Sequence, residues 1–397
     1  MSITDKIAAA AIPSGTILVV DDNELNRDLL SRRLRRDGHI VVVAEHGRAA
    51  LDRLAQQPFD LVLLDIMMPE LTGYEVLEIM KGDVKLSHIP VVMITAATEE
   101  ESIVRCLLLG ADDHLPKPFN PTILRARVGS SLAKKRLHDA EQRHARSLER
   151  ELEIGREIQL GFLPDEIPAP SGWELRAHFR PARQVAGDFY DAFALPGGRV
   201  AIVLADVCGK GVGAALFMAL FRSLFRALAE PQFAAASDVS EGLRATVQGT
   251  NDYIARTHGR ANMFATVFFG VLDPASGTLE YVNAGHELPV VLAADGGVRT
   301  RLSPTGPAVG LMPDLTFGVG RECIGRGETL LAYTDGVVDA RNSAEESYGE
   351  ERLMALLTEN AATAQALLER VDAALGAHIA EAAQFDDVAM LAARRIA

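Results

Sequence analysis

The sequence predicts a multidomain protein in which an α/β domain with a doubly wound parallel sheet precedes a helical linker and an α+β domain with antiparallel sheets. Its 397 residues are enough for two or three domains. Three observations support this prediction. Apolar runs alternate with amphipathic helical patterns near the start, a highly charged stretch follows, and strand-like runs dominate the rest.

The first domain is expected over residues 16–133. Helical patterns, such as the spacing of Leu25, Leu29 and Leu34, lie between short apolar runs. This alternation favours parallel strands with helices on both faces of the sheet. The expected strands are Ile17–Val20, Val41–Ala44, Leu61–Leu64, Val91–Ile94 and His114–Leu115.

The linker is expected over residues 134–163 and should be helical. From Lys134 to Glu157 the chain has 7 Lys or Arg and 6 Asp or Glu among 24 residues. Apolar residues such as Leu148 and Leu152 recur at heptad spacing, but polar residues interrupt the seam. Two interpretations stay open: a helix that forms a homodimer through part of its length, and a solvated helix with no partner.

The third domain is expected over residues 172–396, where strand-like runs dominate. The turn Asp273–Gly277 should join two of them as a hairpin. The expected strands are Arg199–Ala205, Phe264–Leu272, Leu279–Asn283, Pro289–Leu292 and Thr329–Tyr333, with helices over Gly213–Leu228 and, as one or two helices, Leu353–Glu381.

Composition excludes several classes of function. The net charge of −14 disfavours nucleic-acid binding, which needs clustered Lys and Arg. The longest apolar stretch, Ala214–Ala229, is interrupted by Arg222 and Arg226, so no membrane insertion is expected. Three cysteines form no disulfide framework and no signal peptide is visible, which together indicate a cytoplasmic protein.

Polar side chains follow the expected strands of the first domain. Asp21 and Asp22 follow the first strand, Asp65 the third, Thr95 the fourth and Lys117 the fifth. The carboxyl ends of parallel strands line one crevice, so these groups should converge there. A divalent cation would relieve the repulsion of the carboxylates, and Asp65 could accept a phosphoryl group. A single such Asp is more often a helix cap, but the whole set favours a site.

The first domain resembles the receiver domain of two-component response regulators, which has a flavodoxin-like fold. The matching strings are ILVVDDNELNR, DLVLLDIMMPELTGYE, PVVMITA and GADDHLPKPF. The resemblance implies that a sensor histidine kinase phosphorylates Asp65. It also implies that Asp22 binds Mg²⁺ directly, that Asp21 assists through water, and that Asp65 and the Met67 carbonyl complete the metal ligands.

The same resemblance assigns the contacts to the phosphoryl group. Thr95 would bond a phosphoryl oxygen, Lys117 would contact the phosphate, and the Lys117–Pro118 peptide bond should be cis. The family usually has Tyr or Phe where His114 stands. Whether His114 serves as the switch residue therefore stays open.

Aspartates recur in glycine-rich strings of the third domain. They are Asp188, Asp206, Asp335 and the pair Asp386 and Asp387. Such ligands offer only oxygen, which suits Mg²⁺ or Mn²⁺. Two such ions can hold a water for in-line attack on phosphorus. Any one Asp-Gly pair alone is usually a turn.

This region resembles the metal-dependent PPM-type (type 2C) Ser/Thr phosphatases, and more closely their SpoIIE-like branch. That resemblance implies an antiparallel β-sandwich flanked by helices and two Mn²⁺ or Mg²⁺ ions. The matching strings are ELEIGREIQLGFLP, VAGDFYD, LADVCGKGVGAAL, MFATVFFGVLD, YVNAGHELP, LLAYTDGVVDA and FDDVAML.

The resemblance also assigns roles to the aspartates. Asp206 would bridge both metals, the Val207 carbonyl would hold one, and Asp335 and Asp386 would hold the other. Asp188 would orient a metal-bound water and so belongs to the predicted metal site. Which of Asp386 and Asp387 binds metal stays open. His286 is expected to be a structural hydrogen-bonding residue, and Tyr190 a packing residue.

We therefore expect a response regulator in which the receiver's phosphorylation state controls a phosphoserine or phosphothreonine phosphatase. The expected substrate is a STAS-type anti-sigma-factor antagonist of a partner-switching pathway. The alternative is a catalytically silent phosphatase-like adaptor that binds a regulatory protein under receiver control. The complete set Asp188, Asp206, Asp335 and Asp386 favours the enzyme.

Overall fold

The computed structural model describes residues 14–95 and 100–396 of the chain. It forms two compact units, Met1–Leu148 and Glu149–Ala397. The domain boundaries drawn from the sequence stay predictions. The fold class drawn from it is confirmed, as the two units show in turn.

The first unit contains a five-stranded, all-parallel sheet in the order β2-β1-β3-β4-β5. Alternate strand residues point to opposite faces: Leu18 and Val20 belong to one apolar core, Ile17 and Val19 to another. The sheet is therefore doubly wound, and each expected strand is found to within one residue at either end. The strands are β1 (Thr16–Val20), β2 (Ile40–Ala44), β3 (Leu61–Asp65), β4 (Val91–Thr95) and β5 (Asp113–Pro116).

Four helices connect these strands, and their first turns explain where three of them begin. Asn23 and His46 each accept a backbone N–H bond in the first turn of their helix. Thr72 and Glu75 form a capping box that starts the helix after β3. The helices are α1 (Glu24–Arg36), α2 (Gly47–Gln56), α3 (Gly73–Gly82) and α4 (Glu100–Leu108).

A single helix, α5, covers Pro121–Leu160. The expected start of the helical stretch at Lys134 is wrong, because the helix begins at Pro121. The reason is an apolar stripe of Leu124, Val128 and Leu132, which is buried in the first unit against the sheet. The charged composition beyond residue 134 marks the point where this stripe ends, so it does not mark the start of a helix.

The second unit is a sandwich of two five-stranded antiparallel sheets, in the orders β13-β10-β9-β8-β7 and β12-β11-β14-β15-β6. Ile202 and Phe268 of one sheet share a buried core with Leu330 and Leu391 of the other. The strands are β6 (Trp173–Arg180), β7 (Phe189–Leu195), β8 (Arg199–Val207), β9 (Ala265–Leu272), β10 (Thr278–Ala284), β11 (Val290–Leu292), β12 (Val298–Arg301), β13 (Gly320–Cys323), β14 (Thr329–Tyr333) and β15 (Val388–Arg395).

Helices cover the outer faces of both sheets. Phe225 and Val247 pack in the apolar core on the outer face of the first sheet. Leu367 and Val371 pack in the corresponding core of the second sheet. The segment expected as one or two helices is two. The helices are α6 (Val212–Ala235), α7 (Val239–His258), α8 (Glu350–Leu356) and α9 (Ala364–Ile379).

The sequence reasoning missed α7 and the strands β6, β7, β12, β13 and β15. Helix α7 buries Thr246, Thr250 and Asn251, so its buried face lacks a continuous apolar pattern. Among the described residues, α6 is the one helix long and apolar enough to cross a membrane by length and composition. Its buried face packs in the apolar core on the outer face of the first sheet, as expected for a core helix of a folded domain.

Candidate functional site

The first acidic pocket lies at the carboxyl ends of the receiver strands. Asp21 follows β1 and Asp65 ends β3, and both are buried. The Lys117 Nζ, just beyond β5, lies 2.9 Å from one carboxylate oxygen of each. Thr95 ends β4 and is buried. The structure therefore brings these four predicted residues to one crevice.

The acidic groups of this pocket suit a divalent cation. Asp21, Asp22 and Asp65 offer three carboxylate oxygens that lie within 4.8 Å of one another. Burial raises the pKa of Asp65, and the hydrogen bond from Lys117 opposes that rise. One ammonium group cannot balance three carboxylates, so a hard cation would be stabilised among them.

The backbone around Asp65 is closely packed. A Cβ added at Gly73 would lie 2.2 Å from the Asp65 carbonyl oxygen, so only glycine fits there.

The Met67 side chain is exposed, and the Lys117–Pro118 peptide bond is cis, as predicted. His114 is a quarter exposed, and its imidazole Nδ1 lies 3.9 Å from an Asp113 oxygen.

The second acidic cluster lies where the two sheets of the sandwich meet at one end. Asp188 precedes β7 and Asp206 is the second-last residue of β8, which pairs with β7. Asp335 follows β14, and Asp386 and Asp387 precede β15, which pairs with β14. Two strand pairs from different sheets thus bring together residues up to 199 positions apart in the chain.

The carboxylates of this cluster repel one another. Burial, with the charges of Asp206 and Asp387, raises the pKa of Asp188 well above its ordinary value. Burial and the charges of Asp206 and Asp386 raise the pKa of Asp335 to about 7. The buried Asp188 Oδ2 has no hydrogen-bond partner among the described residues. A buried carboxylate oxygen with no partner, among repelling carboxylates, is chemically suited to a divalent cation.

The second cluster is wider than the first. Among the described residues, the one set of three acidic ligand atoms within 4.8 Å of one another is that of Asp21, Asp22 and Asp65. The aspartates of the sandwich are close enough to shift each other's pKa but do not form such a compact set.

Asp386 and Asp387 have different surroundings. Asp387 is buried, and its two oxygens accept hydrogen bonds from the backbone N–H groups of Ala182 at 2.7 Å and Gly187 at 2.8 Å. Asp386 is partly exposed and its Oδ2 lies 2.7 Å from the Lys210 Nζ. Asp387 therefore fixes two main-chain segments, while the Asp386 carboxylate pairs with the Lys210 ammonium and accepts the Asp387 N–H.

Two further residues of the predicted strings have structural surroundings. His286 is buried, its Nδ1 lies 2.9 Å from the Thr266 hydroxyl, and burial lowers its pKa to about 3. It is therefore neutral near pH 7, which disfavours a role as general acid. Tyr190 packs against Phe179 with ring centroids 6.4 Å apart.

The structure also shows polar residues that the sequence reasoning missed. Lys210 contacts Asp386, and its position four residues after Asp206 was the available signal. Gln159, near the end of α5, hydrogen-bonds to the main chain of Ala186, two residues before Asp188. The available signal for Gln159 was its place in the family-like string ELEIGREIQLGFLP, which does not by itself show which polar residue is buried.

Comparisons with known proteins agree with these two units. A model of the response regulator receiver domain matches residues 17–129, and a model described as Stage II sporulation protein E (SpoIIE) matches residues 196–396. The fold and these family matches define a two-component response regulator with a PPM-type phosphatase domain. With half of its length matched by the SpoIIE model, the chain belongs to the SpoIIE family.

Individual relatives show the extent of the similarity. The chain is 45% identical to Protein IcfG of Synechocystis sp. over 263 residues, which are 62% of this chain and 41% of that protein. It is 41% identical to the probable transcriptional regulator ycf27 of Guillardia theta over 116 residues, 29% of this chain and 44% of that protein. The chain thus spans less than half the length of either relative.

One solved structure shows the same fold as the second unit. The SiaA-PP2C domain of Pseudomonas aeruginosa aligns with a TM-score of 0.52 and 23% identity, over 63% of this chain and 98% of that one. The expected family and fold class are confirmed. The roles assigned to individual site residues stay predictions.

Proposed function

We propose that this protein is a metal-dependent phosphoserine or phosphothreonine protein phosphatase whose activity depends on phosphorylation of its receiver. The observation that carries the proposal is the convergence of Asp188, Asp206, Asp335 and Asp386. The pKa values of the first three are raised, and one Asp188 oxygen has no partner among the described residues. Groups that repel each other in this way are costly for stability, and a site for cations explains why they are placed together.

In the proposed reaction, the chain's own residues hold and orient the reacting groups. Asp206 and the Val207 carbonyl would hold one Mn²⁺ or Mg²⁺, and Asp206, Asp335 and Asp386 the other. The two ions would supply positive charge to the phosphoryl oxygens and acidity to the attacking water. Asp188 would orient that water through its unpartnered oxygen.

We assign the metal-ligand role to Asp386 and a supporting role to Asp387. Both Asp387 oxygens already accept backbone hydrogen bonds, so binding a cation would leave buried N–H groups unpaired. Asp386 has a partly exposed carboxylate whose Oδ2 pairs with the Lys210 side chain. A cation that displaces Lys210 from this oxygen would leave no buried main-chain group unpaired.

In the receiver, a sensor histidine kinase would phosphorylate Asp65. Asp21, Asp22, Asp65 and the Met67 carbonyl would hold Mg²⁺. Lys117, already 2.9 Å from Asp65, would neutralise a phosphoryl oxygen, and Thr95 would bond another. The receiver would then hold a phosphoryl group on Asp65. The phosphatase reaction of the second unit would act on a different phosphoryl group.

The proposed pathway is partner switching in the cytoplasm. The substrate would be a phosphorylated STAS-type anti-sigma-factor antagonist, and α5 would connect the two activities and pair two copies of the chain. Several apolar side chains of α5 are exposed, including Leu137, Leu148 and Ile158, which supports a partner for this helix.

Hydrolysis assays test the catalytic part of the proposal. With Mn²⁺, the wild-type chain should hydrolyse a phosphoserine peptide and p-nitrophenyl phosphate, and Asp206→Ala should reduce the rate at least a hundredfold. Asp295→Ala, which removes an exposed aspartate outside the cluster, should leave the rate unchanged. No hydrolysis above background by the wild type or by Asp206→Ala would leave the adaptor as the better account, and equal rates above background would contradict the proposed metal site.

Two further experiments test the regulation and the substrate. Turnover is compared with and without beryllofluoride, which mimics the phosphoryl group on Asp65, using Asp65→Asn as the control that cannot respond. Equal rates would remove receiver control. A pull-down with Asp206→Ala should retain one phosphoprotein that the wild type releases, and a retained protein without phosphate would contradict the proposed substrate.

A further inference from the structure

Gln159 joins the last turn of α5 to the segment that carries Asp188. It is buried, with 9% of its surface exposed. Its amide Nε2 donates to the Ala186 carbonyl at 2.7 Å, and its Oε1 accepts from the Ala186 N–H at 2.9 Å. One side chain thus satisfies both main-chain groups of Ala186, as a neighbouring strand would.

The segment held by Gln159 is fixed from its other side as well. Gly187 donates its N–H to the Asp387 carboxylate at 2.8 Å. A Cβ at Gly187 would lie 2.8 Å from the Val207 carbonyl oxygen, so the two main chains are in close contact. Ala186 and Gly187 are therefore fixed between α5 and the acidic cluster, and Asp188 is the next residue.

The end of α5 is itself anchored in the second unit. Leu163, just beyond the helix, lies in the same apolar core as Phe189, which follows Asp188. One turn before Gln159, Gly155 faces Val185, with a Cβ position 3.8 Å from a Val185 methyl carbon. A displacement of this helix end would therefore move the main chain on which Asp188 stands.

We propose that Gln159 is a positioning residue of the phosphatase: it fixes Ala186 and thereby holds Asp188 where it completes the metal site. The inference rests on the proposed function and adds the route by which α5 acts on it. Loss of the amide would leave two buried main-chain groups unpaired and free the segment to shift. The expected consequence is weaker metal binding and slower turnover with little change in peptide binding, since Asp188 would orient the metal-bound water and would not bind the peptide.

The test compares Gln159→Met with Gln142→Met in the full-length chain. Met is close to Gln in size but has no amide, and Gln142 is an exposed glutamine of the same helix. Mn²⁺ binding is measured by calorimetry without substrate, and unfolding by urea is measured in EDTA. We expect Gln159→Met to weaken Mn²⁺ binding at least tenfold and to lower kcat at saturating Mn²⁺, with KM for a phosphopeptide changed less than twofold. Gln142→Met should match the wild type.

The possible results separate this inference from the proposed function. If Gln159→Met folds less stably but binds Mn²⁺ as the wild type does, Gln159 is a packing residue and the inference is wrong. If the wild type and Asp206→Ala bind Mn²⁺ equally, the proposed metal site itself is wrong. Should Gln159→Met not fold, Gln159→Ala, which admits water beside Ala186, is measured in its place, with the same weakening expected and unchanged Mn²⁺ affinity overturning the inference.

Discussion

Gly336 lies directly against the main chain of Asp387, so that a Cβ at Gly336 would come within 1.8 Å of the Asp387 carbonyl oxygen. The contact joins the turn after β14 to the segment before β15. Asp335 stands on the first of these and Asp386 on the second. The distance between two proposed ligands of one metal is thus set by contact between main chains.

Gly336→Ala should destabilise the second unit by more than about 3 kcal/mol, because backbone atoms cannot shift as a flexible side chain can. Urea unfolding measures the change. Gly376→Ala is the matched control, because Gly376 is an exposed position of α9 where a Cβ meets no atom within 4 Å. It should stabilise the protein by up to about 1 kcal/mol. Equal stabilities for the two variants would contradict the contact.

Alanine substitutions at Asp386 and Asp387 should affect different properties. Asp387→Ala should lower the stability of the protein, and Asp386→Ala should weaken Mn²⁺ binding. Asp387→Ala leaves the Ala182 and Gly187 N–H groups unpaired and should cost about 2 to 4 kcal/mol of unfolding free energy in EDTA. Asp386→Ala relieves repulsion within the cluster and should change that free energy by less than about 1 kcal/mol. Asp386→Ala should bind Mn²⁺ at least tenfold more weakly than the wild type, as measured by calorimetry on the folded proteins. Normal affinity in this variant would contradict its assignment as a ligand.

The metal-free protein should become more stable as the pH falls from 8 to 5. The pKa of Asp335 is about 7 in the folded chain against an ordinary value of 3.8, so the folded state binds the proton more tightly. The stabilisation is absent above pH 7 and develops as the pH falls through it. With one pKa unit worth about 1.4 kcal/mol, and allowing for partial exposure, we expect about 1 to 2 kcal/mol from this group.

Urea unfolding in EDTA at pH 5, 6, 7 and 8 measures this slope. Asp335→Asn cannot titrate and should lose this part of the pH dependence. Mn²⁺ should reverse the slope in the wild type, because the cation favours the ionised carboxylate. Identical slopes for the wild type and Asp335→Asn would show that another group dominates.

Asp65→Asn should abolish phosphorylation of the receiver by acetyl phosphate in the presence of Mg²⁺. The amide is a poor nucleophile and one of the three negative charges is lost. A gel that retards phosphoproteins measures incorporation. Asp52→Asn, at an exposed position of α2, is the control and should be labelled like the wild type. Residual labelling of Asp65→Asn would place the phosphoryl group on another residue.

Much of the first unit could be predicted because its information is local. Each strand is a short apolar run, and Asp21, Asp65 and Lys117 each stand next to a strand end. Parallel strands place those ends at one edge of the sheet, so the pocket follows from the pattern alone. The start of α5 at Pro121 could not be read in this way, because the charged surface beyond residue 134 dominates the composition.

The second unit was predicted less completely because its signals are spread over the chain. Buried polar residues such as Thr246 and Asn251 conceal α7, although a tertiary hydrogen bond from Asn251 to the Met312 carbonyl satisfies that side chain. The aspartates were found through family-like strings. Their mutual distances depend on which strands pair, and that is set by sheet topology.

By itself, the sequence determined the order of the elements in the receiver, the two acidic sets and the family-like strings that carry them. The tertiary structure alone decided that Asp387 binds the N–H groups of Ala182 and Gly187 while Asp386 pairs with Lys210, and that Gln159 reaches Ala186. The physical reason is that hydrogen bonds between residues 27 or 200 positions apart depend on packing of whole elements. Local residue patterns do not determine the distances between residues so far apart in the chain.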